Sequence, residues 1–492
     1  MKNKSIWEEE LPKEVDRKPL KKETDILIIG AGMAGLSTAF FLKDSDQKIM
    51  IIDKGSVGEG VSSKTTGKLT YLQGSIYQKL CKIYGVETSK LYYQSQKEAI
   101  DIVRDNVKKY EIDCDLQRNT SYLFTEGESK DKINKEEEAL KKMDIPYSFA
   151  YELPLKFPCT YAICIKDSYV FHPLKYLKAL SKICKEKGVI IQEGICATEI
   201  VKEEDTYVIE TDHGSIRAKK VVICTHYPFF VIPSFIPLKS HIERSYITAF
   251  PLNHNKKMNA ITTDSSHHTL RYYKDFFIFG GENHRMSVKT DYEKNYETLL
   301  CSQEKYFTEK PMYMWSTHDI ITEDYLPYIG YASKEDHNIL LATGFNKWGM
   351  TNGTIAGKVL ADLILKGKSP YETLLCPYRS YNLSRIKEAI TNALSTSKIF
   401  AQTKLIRNPA FYKQNVRVYK KDGIYYGEYK DDQGNLHTVY NKCPHMGCSL
   451  LWNAEDLTWD CPCHGSRYTM DGDLLEGPST KGIAIKKETT TE

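Results

Sequence analysis

An α/β sheet domain leading into a small all-β module is the architecture this sequence predicts, on two observations. Near the amino end an apolar strand runs into a glycine-spaced turn and a helix, and a second strand then ends in an acid. From about residue 405 short strands alternate with turn signals, and two loops rich in cysteine and histidine interrupt them. With 492 residues the chain exceeds what one hydrophobic core usually serves, so its length also favours several domains.

The first element reads DILIIGAGMAGLSTAFFL from Asp25. A short apolar strand enters Gly30, Gly32 and Gly35, and helical apolar spacing follows through Phe41 and Leu42. The first glycine permits the tight turn, the second lets backbone approach a pyrophosphate, and the third lets helix pack on strand. A second strand, Lys48 to Ile52, ends at Asp53, where a carboxylate accepts hydrogen bonds from ribose hydroxyls. Taken alone the glycines also suit a structural turn; strand, glycines, helix, strand and acid in this order point to a dinucleotide.

The following segment, GSVGEGVSSKTTGKLT, offers more backbone and hydroxyl donors than a nicotinamide site usually shows. Through Gly30-Ala31-Gly32-Met33-Ala34-Gly35 and the loop Ser62 to Thr70, the sequence resembles the D-amino-acid oxidase superfamily of FAD enzymes, which includes glycine and sarcosine oxidases. The resemblance implies FAD, with Ser62, Thr65, Thr66 and Lys68 joining the glycines and Asp53 at the cofactor. It extends to KKVVICTHYPF, a strand ending at Thr225, and to HNILLATGFNKWGMTNGTIAGKVLADLI, which resembles the family's closing flavin site through Gly344, Gly349, Met350 and Thr351. Cys224 stands where the family often has alanine, and Asp53 where it more usually has glutamate. Two roles stay open for Lys347: a positive charge stabilising the anionic reduced flavin, or an exposed turn lysine.

In the resembling family a substrate domain is inserted within the FAD domain, so both are discontinuous. Here the FAD domain is expected at about 24–100, 165–228 and 319–380, and the substrate domain at about 101–164 and 229–318, after an extension over 1–23. Arg271 in TLRYYKD and Arg244 in ERSYIT are candidates for gripping a substrate carboxylate through paired hydrogen bonds; packing residues are the alternative. Asp264 with His267-His268 invites comparison with a mononuclear iron site, but adjacent histidines in a strand point to opposite faces, so solvated loop histidines are expected.

After a helical linker over 381–404, the small module carries Cys443-Pro444-His445-Met446-Gly447-Cys448 and Cys461-Pro462-Cys463-His464-Gly465-Ser466. Each loop supplies one thiolate and one imidazole. A [2Fe–2S] centre with two cysteines on one iron and two histidines on the other needs that set, and tetrahedral zinc also accepts two of each. CPHMGC with CPCHGS resembles the cytochrome-bc type Rieske protein, which implies a cluster on Cys443, His445, Cys461 and His464. The resemblance further implies a disulfide between Cys448 and Cys463, hydrogen bonds to cluster sulfur from Ser466 and Tyr468, and a covering loop at Gly477-Pro478. The whole is then an α/β Rossmann-like FAD domain with an inserted α+β substrate domain, followed by a small all-β Rieske [2Fe–2S] domain over 405–492.

Sixty-eight basic and 64 acidic residues are interspersed and leave a formal charge of +4, which predicts no nucleic-acid partner. The charged amino end lacks the apolar core of a secretory signal, and no apolar run approaches membrane-spanning length, so a cytoplasmic protein without a transmembrane segment is expected. The expected activity is oxidation of an amine or amino-acid-like substrate by hydride transfer to FAD, with electrons leaving singly through the cluster to an external acceptor. Alternatives are an NAD(P)H-driven reductase, for which no second glycine-spaced nucleotide unit is found, a Rieske oxygenase, for which no iron motif follows, and a non-catalytic redox sensor.

Overall fold

The computed structural model describes residues 2–9, 19–128, 130–229, 236, 239–253, 256–286, 291–379, 398, 401 and 415–485. Almost all of the linker expected over 381–404, and the start of the small module, lie outside the described residues.

Five parallel strands form the centre of the first sheet, in the order Ile339–Thr343, Gly214–Ile223, Glu23–Ile29, Ile49–Asp53 and Ile190–Glu193. They read as nearly continuous Ile, Leu and Val because both faces are covered. Ile26, Ile28, Ile49 and Ile51 share one core with the helix Met33–Leu42. Leu27, Ile29, Met50 and Ile52 point the other way, into a core closed by the hairpin Ala197–Glu203 and Thr206–Thr211. The helix Gly349–Lys366 lies against Met33–Leu42 through two glycines: a Cβ at Gly353 would sit 3.0 Å from Met33, and one at Gly357 only 2.4 Å from Ser37.

The second sheet has nine strands, and its edge pair is Tyr313–Thr322 beside Ser240–Pro251. Pleating alternates their side chains. His241, Glu243 and Ser245 face a large cavity between the two sheets. Ile242 and Arg244 face away from it, toward the carboxy-terminal module. The expected joins at 165 and 319 fall inside the strands Tyr161–Val170 and Tyr313–Thr322, and the helix Ile76–Lys109 runs across the one at 100, with a kink at Gly85. Alternation identifies a strand without saying which sheet it joins.

Residues 2–9, expected as part of an extension, are integral to the core. Trp7 is fully buried between His172 and Tyr273, and Lys2 bridges to Tyr313 at the edge of the second sheet. In the carboxy-terminal module a three-stranded sheet (Val416–Lys421, Ile424–Lys430, Leu436–Tyr440) meets a four-stranded one (Leu451–Asn453, Thr458–Asp460, Arg467–Thr469, Leu474–Glu476). Trp452 joins them, its ring stacked 4.4 Å from Tyr429 and tilted against Trp459 at 5.0 Å. Among the described residues no helix is long and apolar enough to cross a membrane.

Candidate functional site

A cavity of about 1080 Å³ runs between the sheets. Gly30, Gly32 and Asp53 from the first sheet line it, as do Ser62, Thr65, Thr66 and Lys68 from the loop after it. Thr225, Lys347, Gly349 and Met350 complete that wall; Gly35, Gly344 and Thr351 lie behind it. Gly30 has φ +111°, and a Cβ there would lie 2.4 Å from the Cys224 carbonyl oxygen. Gly35 could carry a Cβ only 1.8 Å from the Gly30 oxygen, so the third glycine is what seats helix on strand. Gly344, at φ +70°, turns the chain past Thr322, and Thr351 Oγ1 accepts a hydrogen bond from Gln73 inside the wall.

Asp53 accepts from Ala31 N at 2.7 Å and Gly55 N at 2.8 Å, and burial pushes its carboxyl up. Ser62 Oγ accepts from Met33 N at 3.3 Å, and Thr225 Oγ1 donates to Tyr227 O at 2.9 Å. Lys68 is buried and donates to the carbonyl of Ala260 and to Thr269 Oγ1, fastening its loop to the second sheet; burial holds its pKa well below the usual lysine value. Lys347 sits at φ +71° after another left-handed residue, Asn346 at φ +51°, and its ammonium lies 2.8 Å from Glu243 Oε2.

Four consecutive carbonyls of the loop are each held from behind. Trp315 Nε1 donates to Lys64 O at 2.9 Å and Trp7 Nε1 to Thr65 O at 2.6 Å. Arg271 donates to Thr66 O, to Gly67 O at 3.0 Å and to Phe171 O at 2.9 Å. This corrects the expectation for Arg271: its guanidinium is 1% exposed, does not line the cavity and is engaged by backbone, so it shapes the loop rather than gripping a substrate. Burial pushes its pKa down to about 9. Arg244 is likewise committed, to Asp460 of the carboxy-terminal module at 2.6 Å, with both side chains 1% exposed.

The histidine pair is also corrected. His268 is buried, between Glu126 at 2.6 Å and Ser302 at 2.8 Å, and only His267 lines the cavity. Asp264, at the cavity wall, accepts from Thr125 Oγ1 and Glu126 N. The second sheet presents instead Glu243 and Asp319, directly opposite in register, with His241 between Glu243 and Glu323. Burial raises the Glu243 carboxyl, but hydrogen bonding from His241 and the charge of Lys347 outweigh it and hold the group well below the carboxylate range. Asp319, with less to oppose its burial, is pushed up.

At the other end of the chain the loops 443–448 and 461–466 face each other, joined by a disulfide between Cys448 and Cys463. Each folds by returning its own backbone hydrogen bonds, Gly447 N to Cys443 O and Gly465 N to Cys461 O. Hydrogen bonding from Cys461 pushes the Cys443 thiol down to about 6. The His445 and His464 rings lie 4.9 Å apart, and the Nδ1 atom of each is buried without a hydrogen-bond partner. Burial pushes His464 down to about 4, which keeps the imidazole neutral. Two facing thiols and two orphaned neutral nitrogens are the donor set a [2Fe–2S] cluster of mixed ligation requires. The Tyr468 hydroxyl lies 3.2 Å from Cys443 Sγ, and Ser466 Oγ accepts from Ser479 N at 3.0 Å.

The two sites adjoin. The His464 ring stands edge-on to Tyr227, 5.9 Å away, and Tyr227 lines the cavity. Gly465 passes so close to the second sheet that a Cβ would lie 2.8 Å from Ile242. Glu476 of the small module meets Lys64 at 2.9 Å, His318 at 2.9 Å and Arg467 at 3.1 Å. None of Tyr227, His318, Glu476, Glu243 or Asp319 was marked by spacing. Only Trp7 carried a signal, as a lone aromatic in a charged segment.

A glycine-cradled cavity beside a thiolate–imidazole loop pair defines a flavoprotein joined to an iron–sulfur module. The chain belongs to the FAD dependent oxidoreductase family, whose model matches residues 25–363, and carries a Rieske [2Fe-2S] domain that matches residues 405–487. It is similar to the Rieske 2Fe-2S iron-sulfur protein YhfW of Bacillus subtilis (strain 168), at 32% identity over 94% of this chain and 93% of that one. It is 22% identical to gamma-glutamylputrescine oxidoreductase of Escherichia coli (strain K12), over 69% of this chain and 83% of that one. Among solved structures, glycine oxidase from Geobacillus kaustophilus superimposes with a TM-score of 0.62 at 16% identity, over 74% of this chain and 100% of that one, which shows a shared fold.

Proposed function

We propose that this flavoenzyme oxidises an amine or amino-acid-like substrate and sends the electrons one at a time through its Rieske cluster to an external acceptor. The observation that carries the reading is the abutment of the two sites, with the cluster ligand His464 on Tyr227 at the cavity wall. Bound in these sites, FAD supplies a two-electron hydride acceptor and the cluster a one-electron carrier. The substrate loses a hydride from the carbon beside nitrogen and a proton from nitrogen, and water hydrolyses the resulting imine.

The chain's own residues bind and orient. Glu243 and Asp319 face the cavity side by side and suit a substrate amine; Asp319, raised by burial, suits holding the proton that the amine gives up. Lys347, paired with Glu243, positions that carboxylate at the cavity wall. The Tyr227 and Gly465 contacts keep water from the boundary between the sites.

The test is anaerobic. Candidate amines, amino acids and NAD(P)H are added separately, and flavin bleaching is followed together with the electron-spin signal of the reduced cluster. An amine that bleaches the flavin and then raises the cluster signal is expected; rapid bleaching by NADH alone overturns the reading.

A further inference from the structure

One loop of the Rieske domain belongs to two sites. On its inner side Ser479 N donates to Ser466 Oγ at 3.0 Å, next to the second ligand loop, and Arg467 reaches Glu476 at 3.1 Å. On its outer side residues 474–480 line the same cavity as Gly30, Gly32 and Asp53. The contacts there are particular. Lys54 donates to the Leu475 carbonyl, Cys196 Sγ lies 3.8 Å from Thr480 O, and Lys64 pairs with Glu476 at 2.9 Å. Lys54 follows Asp53, the acid at the strand end where a dinucleotide's ribose is held, so the loop closes the nucleotide end of the cavity.

Two buried attachments keep it there. Glu476, 8% exposed, gathers Lys64 and His318 from the flavin-binding part and Arg467 from its own domain. Some distance along the sheet Arg244 pairs with Asp460, and Leu451 enters the apolar core of the second sheet. Breaking a buried pair by removing one partner leaves an uncompensated charge, so the docked arrangement resists opening at both places.

We infer that residues 475–480 of the Rieske domain are part of the FAD site, so that the nucleotide is held between the two domains and its retention depends on their docking. The inference goes beyond the proposed oxidation, since it requires neither a particular substrate nor electron flow between the sites. It also makes the loop a wall common to both cofactors, through which filling one site alters the surroundings of the other.

The experiment uses the full-length, cluster-loaded protein and two variants. Arg244→Met removes a docking contact that touches neither cavity nor cluster, and Asp460 keeps its internal partner Arg467 at 3.2 Å. Glu476→Ala removes the other attachment. The FAD dissociation constant is measured by recovery of free-flavin fluorescence, and the electron-spin spectrum of the dithionite-reduced cluster is recorded on the same samples. In both variants the constant is expected to rise roughly tenfold, with the cluster signal at full intensity. Arg244→Lys, which keeps a cation opposite Asp460, is expected to recover most of the affinity. FAD affinity equal to that of the unaltered protein in Arg244→Met overturns the inference. If Glu476→Ala does not accumulate with its cluster, the unaltered protein decides further: its cluster spectrum is expected to shift when FAD is stripped, and an identical spectrum with and without FAD overturns the common wall.

Discussion

The cluster loops and the FAD cavity bind their cofactors by opposite means. The two thiols and two imidazoles proposed as cluster ligands stand between Cys443 and His464, on two loops that close their own hydrogen bonds and are tied by one disulfide. The cavity that suits FAD is assembled from segments near residues 30, 53, 65, 225, 245, 320, 347 and 477. A site made of ligands is all or none, because each bond is required; a site made of walls is graded, because each wall contributes a share.

The sharpest break in that comparison is Cys461→Ser, which is expected to abolish the electron-spin signal of the cluster entirely, while flavin absorbance still develops when FAD is in excess. Gly30→Ala is next. Its Cβ would enter the Cys224 carbonyl at 2.4 Å from a backbone at φ +111°, so about 3 kcal/mol of stability and most of the bound FAD are expected to be lost, read by thermal melting and flavin content. Arg271→Met removes the donors to the carbonyls of Thr66, Gly67 and Phe171 and is expected to cost about 2 kcal/mol, seen as a lower melting temperature. A raised KM with unchanged melting would instead restore the carboxylate-grip role.

Acid sharpens the comparison from another side. Asp460 and Glu476 are pushed up by burial, but Arg244 and Arg467 at the first, and Lys64, His318 and Arg467 at the second, hold both below the usual range. Carboxyls depressed in the folded state contribute stability that is complete above their unfolded values of about 4 and fades as pH falls through the lower folded ones. FAD release is therefore expected to steepen below about pH 4, followed by flavin fluorescence, and to begin at higher pH in Arg244→Met. The smallest effect is expected from Lys347→Met: it leaves the Glu243 carboxylate without its ammonium partner, so the flavin midpoint potential should fall slightly in spectroelectrochemical titration.

What the sequence made legible follows the same division. The two cysteine–histidine loops could be paired because their donors are local and of the types coordination chemistry demands, and the structure brings them face to face. The glycines of the first turn could be read for a related reason: Gly30 and Gly35 are each forbidden a Cβ by atoms within the same strand–turn–helix unit or the adjoining strand. The choice between the two roles left open for Arg271 and Arg244 could not be made from sequence because a guanidinium's partners are set by tertiary packing, and nothing in TLRYYKD or ERSYIT distinguishes three backbone carbonyls or a distant Asp460 from a substrate carboxylate. Glu476 was invisible for that reason too, since its partners come from residues 64, 318 and 467. The expected join at 319 lies inside the strand Tyr313–Thr322, where alternation shows the two faces but not the neighbouring strand.

Trp7 has a consequence for how the molecule is made. Its indole holds the Thr65 carbonyl while its ring rests on Tyr273, and Lys2 pairs with Tyr313, so this segment binds to strands far along the chain from it. Contacts of such separation form late. The cofactor loop at 64–67 therefore acquires its final shape only after the strands that carry Tyr273 and Tyr313 are in place, with the segment 2–9 acting as the latch.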